Sequence, residues 1–299
     1  MVEVRKVGQP RVIREAANRL MRYKDQMSGT YPVVMAPYIS PQAAEICREE
    51  GLGFVDLAGN CRLSFDQVYI SKEGKQNPFT RRRDLRSLYS PKAERVLRVL
   101  LATPKRWWKV APMAQEAGVS LGQVFNVKKL LIDREWVETG EDGFRFTAPA
   151  KLLAEWEDNY DFRRSTVREF YTLRSIADFE HLLAEACAKG NLAYALAGFS
   201  SAARYAPMVR YQRAMAYVVG DIDRVAERLE LKPVTSGANV NLIVPYDEGV
   251  LYGAETKGGA RVTSPMQTYL DLRQIKGRGE EAAGFLKQQV IQPSWPESA

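Results

Sequence analysis

A chain of 299 residues is long enough for two or three domains with substantial cores, and its 45% hydrophobic and 26% charged content excludes a disordered or fibrous class. The formal charge of +7 favours a polyanionic partner. Three cysteines (Cys47, Cys61, Cys187) without metal-ligand spacing argue against a disulfide framework or a structural zinc, and the single histidine, His181, leaves little room for a His-based metal site or a Ser-His-Asp triad.

No stretch approaches the ~20 apolar residues of a membrane helix, and the opening MVEVRKVGQPRVIREAANRL has no apolar signal core. A cytoplasmic protein without membrane association or cofactor is expected. Residues 10–27 place Val12, Ile13, Ala16, Ala17, Leu20 and Met21 at helical spacing, with Arg11, Arg14, Arg19, Arg22 and Lys24 left as a solvated basic face. YPVVMAPYIS then reads as a strand, PQAAEICREEG as a helix stopped at Gly51, and GFVDLAGNCRLSF and QVYISKEG as further strands. The β-α-β-β order predicts a small α/β domain over 1–79.

Two readings compete in that domain. Asp56 at a strand end and Glu73-Gly74-Lys75 after a later strand resemble the acidic and lysine set of metal-dependent nucleases, in which carboxylates hold Mg²⁺. The same residues make ordinary turn chemistry, Asp56 and Asn60 bonding to local backbone amides. Across residues 72–86, Lys72, Lys75, Arg81, Arg82, Arg83 and Arg86 outweigh Glu73 and Asp84 by +4. The linker at 80–89 abuts the next module, so phosphate contact is the expected role of its arginines.

In SPKAERVLRVLL, Ala93, Val96, Leu97, Leu100 and Leu101 give a helix with one apolar face, which Ser90 and Pro91 open. Val110, Met113, Ala114 and Ala117 repeat the pattern on a shorter helix. Gly118 stands where that helix ends in a left-handed residue, and Ser120 can cap the next. On the third helix Leu121, Val124, Val127, Leu130 and Leu131 are expected inside, leaving Gly122, Gln123, Phe125, Asn126 and Lys129 outside. Trp136-Val137-Glu138 and Gly143-Phe144-Arg145-Phe146 then read as two strands about a tight turn. Three helices followed by a hairpin are the order of a winged helix-turn-helix, here over 90–149. Gln123 and Asn126 suit paired hydrogen bonds to adenine, Gly122 allows close approach, and Lys128, Lys129 and Arg145 can reach phosphate or the minor groove.

Residues 150–173 form an aromatic-rich connector, read as helical, whose Trp156, Tyr160, Phe162, Phe170 and Tyr171 suit domain docking or dimerisation. From 174 to 299, helices and strands alternate as an α+β domain. Its Gly198-Phe199-Ser200 and Asp221-Ile222-Asp223 are similar to a nucleotidyltransferase scheme of triphosphate loop and paired Mg²⁺ carboxylates; the competing reading makes Asp221 a helix cap. Asp247 and Glu248 read as turn residues. Asp271, Arg273, Lys276, Arg278 and Glu280 form a polar cluster suited to a partner surface, on helices opened at Pro265 and Gly279. The fold class expected is α+β and multi-domain: a small α/β domain, a central winged helix-turn-helix, and a C-terminal α+β domain for which a degenerate nucleotidyltransferase-like fold is one reading.

The phrases YPVVMAPYISPQAAEICREEGLGFVDLAGNCRLSF, SPKAERVLRVLL, AGVSLGQVFNVKKLL, LKPVTSGANVNLIVPYDEGVLYG and SPMQTYLDLRQIKGRGEEAAGFL resemble the bacterial AbiEi-type transcriptional regulators, the antitoxin side of type IV toxin–antitoxin systems. The resemblance implies a repressor of its own operon whose C-terminal part opposes a nucleotidyltransferase toxin. Family members usually open on a compact helix-turn-helix, whereas here an α/β domain comes first. Together the readings predict a non-enzymatic regulator binding double-stranded DNA at Ser120, Gly122, Gln123, Phe125, Asn126, Lys128, Lys129, Arg145, Arg81, Arg82, Arg83 and Arg86. A homodimer is expected because one reader helix supplies few base contacts. The rival is an enzyme, either a nuclease through Asp56, Glu73 and Lys75 or a nucleotidyltransferase through Ser200, Asp221 and Asp223.

Overall fold

The computed structural model describes residues 1–27, 29–78, 88–206 and 211–295; the linker arginines Arg81, Arg82, Arg83 and Arg86 lie outside the described residues. The architecture is mixed α+β, with three sheets among the described residues. The chain divides into two compact units, Met1–Leu88 with Phe125–Phe144, and Tyr89–Val124 with Arg145–Ala299.

In the first unit, β1 (Val2–Val4), β2 (Val33–Ala36), β3 (Gly53–Asp56), β4 (Cys61–Phe65) and β5 (Val68–Lys72) pair in chain order, parallel from β1 to β3 and antiparallel thereafter. The short β1 carries no sequence signal of its own; β2 supplies its ladder. Helix α1 (Pro10–Gln26) starts with Pro10 in its first turn, where no amide donor is missed, and buries Ile13, Ala16, Ala17 and Leu20. In α2 (Pro41–Glu49) the Ser40 hydroxyl accepts the Ala43 amide at 3.3 Å. Both helices share one core with Val34, Ala36 and Phe54 of the sheet. The basic face expected to be merely solvated is partly ion-paired: Arg11 with Asp133 at 3.4 Å, Arg14 with Glu135 at 3.0 Å and Arg19 with Glu3 at 3.7 Å. These arginines are about half exposed, so each pair is worth at most ~1 kcal/mol.

The middle of the chain runs α3 (Pro91–Ala102), β6 (Trp107–Trp108), α4 (Val110–Ala117), α5 (Leu121–Asp133), β7 (Val137–Gly140) and β8 (Gly143–Phe146). The last three strands form a sheet in the order β6-β8-β7. Strand β6 was not expected; its two tryptophans sit in a stretch too short for any periodicity to show.

The second unit is built on a seven-stranded sheet, β12-β9-β13-β11-β10-β15-β14, with β9 (Thr166–Tyr171), β10 (Tyr194–Leu196), β11 (Ala214–Val218), β12 (Lys232–Pro233), β13 (Val240–Val244), β14 (Glu255–Lys257) and β15 (Ala260–Val262). β9 corrects the helical reading of the connector. After α6 (Pro149–Asn159) the chain becomes extended, because Val167 and the aromatic Phe170 and Tyr171 suit a pleated surface and β13 pairs with residues 166–170 while β12 takes up Tyr171. β11 is buried on both faces. Ala214, Ala216 and Val218 meet α7 (Ile176–Gly190) and α9 (Ile222–Arg228), while Met215 and Tyr217 face the opposite layer with Ile243 and Val250. Helices α8 (Gly198–Tyr205), α10 (Pro265–Arg273) and α11 (Arg278–Leu286) complete the unit.

A buried polar network ties α3 to this sheet. Glu94, 0% exposed, accepts from Arg164 at 2.8 Å and from the Tyr246 hydroxyl, and pairs with Arg98 at 3.6 Å. Arg98 donates to Gln267 Oε1 at 2.6 Å and lies 5.0 Å from the Trp156 ring centre. Burial opposes its charge, but the Tyr246 and Glu94 oxygens outweigh burial and hold its pKa above the ordinary value. Gln267 Nε2 donates in turn to Tyr160 and to Asp271 Oδ1, each at 2.8 Å, and the Tyr160 and Tyr217 hydroxyls donate to the same carboxylate oxygen at 2.8 and 2.9 Å. Trp156, Tyr160 and Phe170 of the connector are therefore packing residues of this unit, and Asp271, read as part of a partner surface, is 1% exposed.

Candidate nucleic-acid interface

The turn from α4 into α5 is dictated by local chemistry. Gly118 ends α4 at φ 60°, ψ 45°, a left-handed conformation that costs glycine nothing. Its amide and that of Val119 return to the Gln115 and Ala114 carbonyls. The Ser120 hydroxyl then accepts the Gln123 amide at 3.2 Å and caps α5.

Val124, Val127 and Leu131 of α5 are buried, with Leu130 half-buried. Leu121, expected inside, is instead 52% exposed. It joins Gly122, Phe125 (58% exposed), Asn126 and Lys129 in an exposed stripe one turn apart along the helix. Gln123 and Lys128 are half-buried; the Lys128 ammonium lies 5.2 Å from the Phe144 ring centre. A Cβ on Gly122 would meet nothing nearer than the Ser120 hydroxyl at 4.0 Å, so packing does not require glycine there.

β7 and β8 are joined at Glu141-Asp142, and Gly143 takes φ 120°. The Arg145 guanidinium stacks 5.1 Å from the Trp107 ring centre, and Arg106 stands 3.8 Å from that of Trp108. Lys105, Arg106 and Lys109, all exposed, add positive charge around β6 that the sequence reading passed over. The KRWWK run itself was the available signal.

The residues named for enzymatic chemistry have other occupations. Asp56, 4% exposed, accepts from the amides of Ile39 (3.1 Å) and Asn60 (2.8 Å) and from the Asn60 side chain (2.8 Å). Asn60 also holds the Lys75 backbone at 2.8 Å, and Glu73 pairs with Arg48 at 3.2 Å. Ser200 is 0% exposed and its hydroxyl accepts the Met215 amide at 3.1 Å. Asp221 caps α9 by accepting the Asp223 and Arg224 amides, while Asp223 pairs with Arg168 at 2.9 Å. Asp247 is clamped by Arg95 at 2.6 Å; burial would raise its pKa, but the Arg95 hydrogen bond and the Gly249 amide bring it below the usual carboxylate value. Burial lifts the Cys47 thiol to about 12 and that of Cys187 to about 11, so neither is a thiolate near neutral pH.

Comparison with known families places the second unit's sheet and its flanking helices. Residues 145–292 match the AbiEi_2 model, described as transcriptional regulator, AbiEi antitoxin, type IV toxin–antitoxin system. This region belongs to the AbiEi_2 family. No curated protein and no solved structure gives a significant match. The AbiEi_2 segment begins at Arg145 and so takes in the seven-stranded sheet and the network around Asp271, while α3, α4 and α5 precede it. Among the described residues no helix is long and apolar enough to cross a membrane.

Proposed function

We propose that this chain is a non-enzymatic, sequence-specific regulator that represses transcription by binding double-stranded DNA, with 90–149 as a winged helix-turn-helix and α5 as its reader. The observation that carries the reading is the exposed stripe on α5, with glycine at a helix position where the fold does not ask for one. Glycine costs up to ~1 kcal/mol relative to alanine in a helix interior and less in the first turn, where Gly122 stands; close approach of a groove would explain that cost. Asn126 and Gln123 would read base edges, and Phe125 a thymine methyl. Lys128, Lys129, Arg145 and the arginines Arg81, Arg82, Arg83 and Arg86 would neutralise phosphates. The family description supports the regulatory role. Two copies would read two half-sites. In this reading the C-terminal sheet is a degenerate nucleotidyltransferase relative whose carboxylates cap and pair rather than bind metal, and the genetic partner is a nucleotidyltransferase toxin.

The test is an electrophoretic shift on the DNA upstream of the protein's own coding region. Gln123→Ala and Asn126→Ala are expected to lose specific binding by about tenfold or more each. Wild-type specificity in both variants would remove α5 as the reader. Replacing Arg81, Arg82 and Arg83 together should flatten the salt dependence of binding; an unchanged slope would mean the linker makes no phosphate contact.

A further inference from the structure

A cavity of about 890 Å³ opens on the sheet face opposite α7 and α9, within the AbiEi_2 segment. This lies in the range of roughly 300–1,000 Å³ usual for small-molecule sites. Its apolar walls include Phe162, Phe199, Met215 and Ile275. Two acceptors on this wall are buried without a hydrogen-bond partner: the side-chain oxygen of Asn241, a residue 8% exposed, and Oδ2 of Asp271, 1% exposed.

Both are acceptors, whereas Arg98 Nε and the indole N–H groups of Trp156 and Trp295, also buried without a partner in this unit, are donors. Neighbouring polar side chains on the same wall are engaged: Asn239 makes two hydrogen bonds to the Thr172 backbone, and the Tyr211 hydroxyl donates to the Glu180 carboxylate. Asp271, which lines the cavity, uses only one of its oxygens to collect three donors, leaving the second without one. A buried acceptor left unmade costs stability, so a bound donor at either atom would recover that cost. Arg213 and Arg278, both exposed, line the same cavity.

We propose that this cavity binds a nucleotide whose base carries an exocyclic amine, with the amine donating to Asn241 and Asp271, the ring lying against Phe162 and Phe199, and the phosphate facing Arg213 and Arg278. An exocyclic amine offers two donors on one nitrogen, which matches two separate acceptors. The apolar walls suit a flat ring, and the arginines suit a doubly charged anion. A free amino acid shares the amine and the acid but fills only a fraction of the volume. The site is independent of the DNA reading. Its buried end is also the Asp271–Gln267–Arg98 chain that reaches α3.

The experiment is calorimetric titration of the full chain with AMP, GMP and CMP, against IMP and UMP, which lack the amine. At least one amine-bearing nucleotide is expected to bind tenfold or more tighter than IMP and UMP. Asn241→Leu should abolish that binding while leaving the thermal midpoint of the unliganded protein unchanged or higher, because it removes an unpaired buried acceptor. Arg278→Ala, on the surface, should weaken binding about tenfold and reduce its salt dependence. No heat from any of the five at millimolar concentration would mean that water alone occupies the acceptors, and the proposal would fall. Equal binding of IMP or UMP, or binding that survives Asn241→Leu, would overturn it as well.

Discussion

Glu94→Gln isolates the cost of an unpaired buried charge. The amide keeps the shape of the side chain and one acceptor for Arg164, which is 27% exposed and can reach water. Arg98, 3% exposed, cannot; it loses its ion-pair partner and keeps Gln267, the Tyr246 hydroxyl and the more distant attraction of the Asp271 carboxylate. Removing one partner of a buried ion pair costs about 3–5 kcal/mol, and the retained acceptors place this case near the lower end. At 2–4 °C per kcal/mol for a domain of this size, the midpoint should fall by about 6–12 °C. Urea unfolding followed by circular dichroism, and by the fluorescence of tryptophans that include Trp156 beside Arg98, measures the change. Arg98→Met in the same background should recover much of the loss, since it removes the stranded charge and retains the packing on Trp156. The reasoning is refuted if Glu94→Gln costs less than about 1 kcal/mol, or if the double variant is no more stable than the single one.

Burial pushes the Asp271 carboxyl up to about 6 against the hydrogen bonds from Tyr160, Tyr217 and Gln267. Because its folded pKa is raised, its contribution is fully present below about pH 4 and is lost as pH rises through 6, a swing of about 3 kcal/mol. Asp271→Asn should therefore gain on the wild type by about that amount between pH 4 and 7, and parallel stability curves would contradict the assignment. Gly122→Ala should stabilise α5 by roughly 0.5–1 kcal/mol in thermal melts yet weaken DNA binding; a variant that is both more stable and fully active would show that the glycine has no role in binding. Gly118→Ala places a side chain at φ 60°, with its Cβ 3.3 Å from Arg95, and should cost about 1–2 kcal/mol. Asp56→Ala removes three buried acceptor contacts and should cost about 2–4 kcal/mol by chemical denaturation, whereas a neutral effect would free that carboxylate for another task.

What the sequence determined by itself is what short-range physics writes into consecutive residues. The stripe Ile13, Ala16, Ala17 and Leu20 specified α1, the pair Gly118 and Ser120 specified a helix stop and the next cap, and the Gly-rich spacing after Val137 specified a hairpin. Each depends on neighbours three or four positions away. What only the tertiary structure decided depends on partners far along the chain. Periodicity assigned α3 one apolar face and left Glu94 and Arg98 as its polar side, but Arg164, Tyr246 and Gln267 close over that side and turn it into a buried network. Residues 166–171 carried helix-compatible charges and became a strand because β13 and β12 offered a ladder. Asp271 read as part of a partner surface and Asn241 carried no signal of its own; their position beside a cavity follows from two elements meeting on one sheet face, which no local pattern encodes. The candidate reader was legible because capping and amphipathicity are local, and the cavity was not because burial is a property of the assembled fold.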